Sequence, residues 1–554
     1  MTELLVVLVL ALVLIAAATL VGPRLGVASP LMLVAVGVAA SFLPVFASVH
    51  IEPEWILEGV LPPLLYSAAV SMPAMNFRRE FGAISGLSVV LVVASALVLG
   101  LFFELVIPEL GFGWGVALGA IVSPTDAVAT SIVKQTSVSP RVVAMLDGES
   151  LLNDATALVL LRTAITTAGA FSFWGAVGTF AYSVVVAVLV GGLFGVLNLV
   201  VRRRVMDPTV NTVLSFAVPF LASVPAGLLG ASGLVAAVVA GLVTGVRAPR
   251  DLSPQNRLSD AQNWRTVELV LEGAVFLTMG LQIKAIVTNV ERDHAGVGVA
   301  VLVAAGALVL TVLVRAAYVA PLLRVLAARA RRGEQLQPRV LGMQERMVTS
   351  EGKQAAFDEL NRRRGRKVSE RTLERFAARV TQSLADIEYF LRQPLGWREG
   401  TAVVWAGMRG AVTVAAAQTL PDDTPQRSVL VLVAFAVATL SLLVQGGTIG
   451  PLLRRIAPEV DQAALDAQTA AERDRIFALL RRSAESVGTA PEREASTEGF
   501  QAAKRHQLAV IAAQRTALLD ARDNGTFDAD VLANALANLD ASQIALEMRG
   551  TLAG

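Results

Sequence analysis

The chain has 554 residues, 54% of them hydrophobic and only 17% charged, with a formal net charge of +2 and a mean hydropathy of +0.61. An ordinary globular domain carries about 25% charged residues, so this composition excludes a soluble enzyme, a disordered chain and a collagen-like one. The absence of cysteine removes disulfides, thiolate zinc sites, iron–sulfur clusters and thiol catalysis, and three histidines far apart (His50, His294, His506) exclude a histidine metal cluster.

A bilayer core of about 30 Å requires roughly 20 apolar residues per helix. That rule predicts thirteen spans, at 4–22, 29–47, 55–72, 83–106, 112–135, 140–168, 175–201, 211–225, 230–246, 266–284, 296–324, 401–420 and 428–452. The first has no Lys or Arg before it and is too long for a signal-peptide core, so it is expected as a retained helix. Glu58 and Pro62-Pro63 interrupt the third, and the eighth and ninth lie close enough to form a re-entrant pair.

Twelve Lys and Arg residues follow odd-numbered spans: Arg24; Arg78 and Arg79; Lys134 and Arg141; Arg202, Arg203 and Arg204; Arg247, Arg250, Arg257 and Arg265. After even-numbered spans through the tenth there is only Arg292, with Lys284 at a border. The positive-inside rule therefore puts the N-terminus outside and the tail in the cytoplasm. The expected organisation is all-α. Membrane helices 1–11 occupy 1–324, a charged cytoplasmic helical insertion 325–400, helices 12 and 13 401–453, and a cytoplasmic C-terminal helical domain 454–554. In the insertion, Leu373, Phe376, Val380, Leu384 and Ile387 follow a helical period. Its basic run at 362–367 reads as a solvated loop, with no nucleic acid expected as a partner. Asn524-Gly525-Thr526 reads as a turn.

An ionisable side chain inside a membrane helix costs several kcal/mol and is a functional hypothesis by default. Glu58, Glu104, Asp126, Asp147, Glu149, Asp154, Arg162, Glu268, Glu272, Arg315 and Arg409 fall in or beside the spans. Glu104, Asp147, Glu268 and Arg315 lie near span ends, where they are expected to reach water. The densest stretch is G-E-S-L-L-N-D-A-T at 148–156. On a helix, Glu149 with Asn153 and Ser150 with Asp154 are i,i+4 pairs, predicting one polar stripe that faces protein or water. A carboxylate with an amide and a hydroxyl beside it suits a small hard cation, and the same group can hold a proton instead.

One span earlier, S-P-T-D-A at 123–127 predicts a helix broken in mid-membrane, because Pro124 lacks an N–H and clashes with the preceding turn. Broken helices at this depth build the ion sites of transporters. Asp126 is then expected to cap the second half-helix. Far along the chain, G-M-R-G at 407–410 puts Arg409 in mid-span between glycines that permit unwinding. A buried guanidinium needs a partner, for which Glu149 is the first candidate, with Asp126 and Glu272 behind it. The interrupted spans are the fifth and twelfth, an odd offset that predicts two inverted six-helix repeats joined by span seven.

With these residues identified, the chain resembles the monovalent cation:proton antiporters, bacterial Na+/H+ antiporters of the NhaP type related to animal sodium/proton exchangers, over about 1–453. S-P-T-D-A is similar to the family's Thr-Asp motif on a crossed, discontinuous helix, G-E-S-L-L-N-D to its Asn-Asp motif, and W-A-G-M-R-G to the Arg segment of the partner helix. The resemblance implies that Asp154 binds the transported Na+ or H+, with Asn153 its structural neighbour and Asp126 a helix-end charge. It implies Thr125 and Ser150 as cation ligands and a Glu149–Arg409 salt bridge. It also implies electroneutral exchange, no resident cofactor, and a homodimer in the lipid of a bacterial inner membrane. The charged insertion departs from the pattern. K+/H+ exchange is the nearest alternative, since oxygen ligands do not set ion size. A channel or sensor stands further off. So does an intramembrane aspartyl protease using Asp126 and Asp154, because neither has a G-x-G-D context.

Overall fold

Long apolar runs with well-placed caps fold as helices throughout a computed structural model of the chain, which describes residues 2–25, 27–43, 52–107, 110–134, 136, 138–167, 173–293, 296–348, 370–456, 462–491 and 497–549. The basic run at 362–367, His50 and His294 lie outside these residues. The helices that enter the argument are α1 (Thr2–Leu25), α2 (Ser29–Ala40), α3 (Leu61–Ser71), α4 (Ala74–Ser85), α5 (Leu91–Val106), α6 (Phe112–Val122), α7 (Val128–Val133), α8 (Pro140–Thr167), α9 (Phe173–Arg202), α10 (Pro208–Leu228), α11 (Gly233–Asp251), α12 (Pro254–Leu281), α13 (Ile283–Arg292) and α14 (Val297–Val348). They continue with α15 (Glu370–Arg392), α16 (Trp397–Trp405), α17 (Ala411–Gln418), α18 (Arg427–Ser441), α19 (Gly447–Ile456), α20 (Gln462–Glu485), α21 (Thr497–Asn524) and α22 (Ala529–Met548). No strand occurs among the described residues.

Several starts follow from side chains that accept free backbone N–H groups. Asp207 accepts from Val210, Ser232 from Val235 and Ser253 from Asn256, the first and last with a proline at the start of the helix. Helix stands over part or all of each of the thirteen expected spans. By length and composition, eight helices among the described residues can cross a membrane, and Ser29–Ala40, Trp55–Ser71 and Phe112–Val122 are shorter apolar helices. Segments eight and nine are separate helices, each counted among the eight. Outside both sets lies α8, which carries Asp147, Glu149, Asp154 and Arg162 along its middle.

The chain divides into two compact units, Met1–Leu322 with Trp397–Pro458, and Leu323–Gly396 with Glu459–Gly554. In the first, small residues let helix backbones approach closely, as is usual where no water drives helices together. A β-carbon on Gly280 of α12 would lie 2.8 Å from Gly37 Cα of α2. Tyr66 is fully buried beside Trp264, ring centroids 5.2 Å apart, and the Trp264 indole donates to Ser215 Oγ at 2.8 Å.

The second unit joins part of the insertion to the tail. Ile476, Leu518, Leu519, Leu532, Leu536 and Leu539 form its core. Arg392 of α15 reaches Glu472 of α20 at 3.4 Å, and Gln382 donates to the Asp523 carbonyl at 3.2 Å. Gly525 takes the left-handed conformation, φ 70°, at the expected Asn524-Gly525-Thr526 turn. Burial pushes the Glu472 carboxyl above its usual range, Asp528 adds to that, and Arg392 and Arg475 oppose it. A carboxyl raised on folding adds stability at low pH that is lost as pH rises through its folded value. Glu472→Gln is therefore expected to flatten the unfolding profile across weakly acidic pH. Unfolding of the purified protein followed against pH checks this, and an unchanged slope contradicts it.

Candidate functional site

Ser123-Pro124 ends α6 because proline lacks the N–H of the next turn and disfavours helix in the residue before it. The chain restarts as α7, whose N-cap is Ala127 rather than the expected Asp126; Asp126, one residue before it, accepts the Val128 N–H through Oδ1 at 3.0 Å. The twelfth span is likewise interrupted between α16 and α17. The two breaks meet, since the Asp126 N–H donates to the Met408 carbonyl at 2.7 Å. A β-carbon on Gly410 would overlap Asp126 Oδ2, and one on Gly407 would lie 2.8 Å from Arg315 Cδ. Gly410 has φ −114°, so both glycines are required by close approach rather than by the backbone freedom expected of them.

The pairing of Glu149 corrects the sequence expectation. Arg315 of α14, expected to reach water, is 2% exposed and Glu149 is 1% exposed. The guanidinium grips the carboxylate with both Nη groups, Nη2 to Oε2 at 2.6 Å. Its Nε donates to the Val403 carbonyl at 2.8 Å. Arg409, equally buried, instead donates through Nε to the Val122 carbonyl at 2.9 Å, through Nη2 to the Ser123 carbonyl at 3.4 Å, and through Nη1 to the Gly407 carbonyl. It closes the negative carbonyl end of α6, where a cation is favoured.

The expected stripe on α8 divides in two, because adjacent helical residues point about 100° apart. Asn153, fully buried, donates through Nδ2 to Thr125 Oγ1 at 2.6 Å and to the Thr125 carbonyl at 3.0 Å. Thr125 Oγ1 in turn donates to Glu149 Oε1 at 3.1 Å. Arg315, Glu149, Thr125 and Asn153 are thus one hydrogen-bonded chain, while Asn153 Oδ1 is buried without a partner among the described residues. On the other face, Ser150 Oγ donates to the Asp147 carbonyl at 3.1 Å. Asp154 is half-buried and lines a cavity with Leu158 of its own helix, Ala120 and Pro124 of the first interrupted helix, and Val412 and Ala416 of the second. No hydrogen bond or ion pair to Asp154 occurs among the described residues, and its charged neighbour is Asp126.

Two contributors were missed from sequence. Ser441 Oγ accepts the Arg409 N–H at 2.8 Å and donates to Gln445 Oε1 at 2.8 Å, and Gln445 Nε2 reaches the Trp405 carbonyl at 3.2 Å. They stabilise the second break from α18 and the π-helical turn Leu442–Gly446 after it. A glutamine within the apolar run 428–452 was the available signal.

The transmembrane sodium/hydrogen exchanger family model matches residues 8–352 and 373–455. The chain belongs to this family. An uncharacterised Na+/H+ exchanger of Mycobacterium tuberculosis is 27% identical over 580 residues, covering 98% of this chain and 96% of the relative. A sodium, potassium, lithium and rubidium/H+ antiporter of Bacillus pumilus is 30% identical over 281 residues, 48% of this chain and 41% of that one. The solved sodium proton antiporter MjNhaP1 of Methanocaldococcus jannaschii shares the fold, with a TM-score of 0.54 at 18% identity, covering 82% of this exchanger and all of that chain. The exchanger is an integral membrane antiporter, and its interrupted helices and Glu149–Arg315 pair all lie within the matched residues.

Proposed function

We propose that the exchanger moves Na+ against H+ by alternating access, with Asp154 as the group that carries either one. The observation behind this reading is the contrast between two carboxylates on one helix. Glu149 is held by an arginine and a threonine, whereas Asp154 lines a cavity beside Pro124 and the half-helices α6 and α17, with no protein partner among the described residues. Asn153, anchored on Thr125, offers an unpartnered amide oxygen one residue away, and Ser150 lies one turn before Asp154 on the same helix.

Competition supplies the coupling. Asp154 is neutral when protonated and neutral with Na+ bound, while the empty carboxylate leaves a net charge that is costly to carry through an apolar barrier. One cation therefore exchanges for one proton, which is electroneutral. The same reading takes thirteen spans in two inverted six-helix repeats, an outside N-terminus, a cytoplasmic tail and a homodimer in the bacterial inner membrane, serving pH and sodium homeostasis.

Asp154→Asn is expected to abolish cation-dependent proton flux in everted vesicles while the protein is still made and inserted. Full activity in that variant sinks the assignment. Adding Na+, Li+ and K+ in turn to the wild-type vesicles separates Na+/H+ from K+/H+ exchange, a distinction sharpened by the broad cation range in the name of the Bacillus relative.

A further inference from the structure

The cavity beside Asp154 is small and apolar. Its volume is about 10 Å³, at the lower limit for a single water molecule. Among the described residues that line it, Asp154 alone has a polar side chain, and the rest of the wall is hydrocarbon. Leu158 stands one turn beyond Asp154 on the same face of α8, and Val412 and Ala416 come from α17. Hard cations are held by oxygen, and discrimination among them depends on cavity size, ligand number and flexibility. Here the oxygens are few and the room is for about one water. A cation bound at Asp154 therefore sheds most of its hydration shell, and the extra space a larger ion needs has to come from the wall.

That wall is backed by packed side chains. Leu158 and Val412 are the two residues that belong both to the cavity and to a buried cluster built from Leu61 and Leu65 of α3, Leu151 and Ala155 of α8, and Leu234 and Val238 of α11. Leu61 and Leu151 are each 2% exposed and Val238 is fully buried. A densely packed interior compresses little, so three helices hold Leu158 and Val412 in place against the cavity.

We propose that Leu158 and Val412 are specificity-determining residues of the exchanger, a stiff apolar wall that selects alkali cations at Asp154 by size. The proposal rests on Asp154 as the carrying group, argued above, and adds what decides between a smaller and a larger cation there. Neither side chain supplies a ligand. Each acts through the space it occupies, so trimming it enlarges the cavity and leaves every charge and hydrogen bond of the site in place.

The test is a size series at one position, in full-length protein reconstituted into vesicles, with apparent KM measured for Na+ and for K+. Val412→Ala removes two methyl groups and is expected to lower the ratio of the K+ KM to the Na+ KM by about tenfold, the low end of what a methylene-sized change does in a pocket. Val412→Ile adds one carbon and is expected to raise the same ratio. Leu158→Val is expected to move it in the direction of Val412→Ala, and it carries the test if Val412→Ala does not insert. Loosened packing with no part in selection would change both cations together. A ratio within about twofold of wild type in both Val412 variants, or one that moves the same way in both, therefore overturns the proposal. Asp154→Asn in the same vesicles keeps the two claims apart. If it still exchanges, the site assignment fails, and if it is inactive while the ratio does not follow the size of residue 412, only the wall fails.

Discussion

Arg315→Met alone is expected to destabilise the protein by about 3–5 kcal/mol, the usual cost of stranding one partner of a buried ion pair. Glu149 would keep the Thr125 hydroxyl but lose both Nη donors in a place water does not reach. Replacing both partners removes the stranded charge, so Glu149→Gln with Arg315→Met should recover much of the loss. The measurement is unfolding in detergent of the two single variants and the double, read as a coupling energy. A parallel cycle with Arg409→Met separates the two arginines. Arg409 contacts carbonyl oxygens and feels Glu149 only as a nearby charge, so its loss should be costly but couple to Glu149→Gln more weakly than the loss of Arg315 does. Stronger coupling of Glu149 to Arg409 than to Arg315 would reverse the pairing described above.

Gly410→Ala is expected to reduce exchange by about 100-fold or more, the scale on which a misplacement of about 1 Å acts in a preorganised site. The added methyl group would occupy the space of Asp126 Oδ2. Either the carboxylate gives up its hold on the Val128 N–H, or the two breaks separate and the bond from the Asp126 N–H to Met408 is lost. Gly447→Ala is the control, because a β-carbon there meets nothing within 4 Å and alanine is the better helix former by about 1 kcal/mol. Its transport rate should match wild type. Exchange rates in reconstituted vesicles decide the matter, and a fully active Gly410→Ala would show that the crossing tolerates displacement.

The local part of this architecture is legible residue by residue. Pro124 removes a helical N–H and favours a break at 123–127, although proline alone does not dictate one, since α10 runs unbroken through Pro219 and Pro225. That Asp126 accepts a free N–H at the start of α7 follows from its place two residues before Val128. The apolar runs, the basic loops and the polar stretch at 148–156 are readable in the same way, since each depends on residues within a turn or two.

What lay beyond reach was every contact between distant segments. Glu149 had two arginines to choose from, at 315 and 409, and local sequence pointed to the wrong one, since Arg315 falls toward a span end and Arg409 at mid-span. The packing of α14 beside α8 and α16 brings Arg315 to Glu149 and to the Val403 carbonyl, while the crossing of the breaks presents Arg409 with the unpaired carbonyls of α6. Helical periodicity placed Glu149, Ser150, Asn153 and Asp154 in one stripe, yet their division depends on which neighbour each meets. Glu149 and Asn153 turn to Thr125, and Asp154 to the cavity. Caps and breaks are settled by interactions a few residues long, which a sequence states outright. The choice of partner for a buried charge is settled by desolvation and reach across the packed helices, quantities that exist only once the chain has folded.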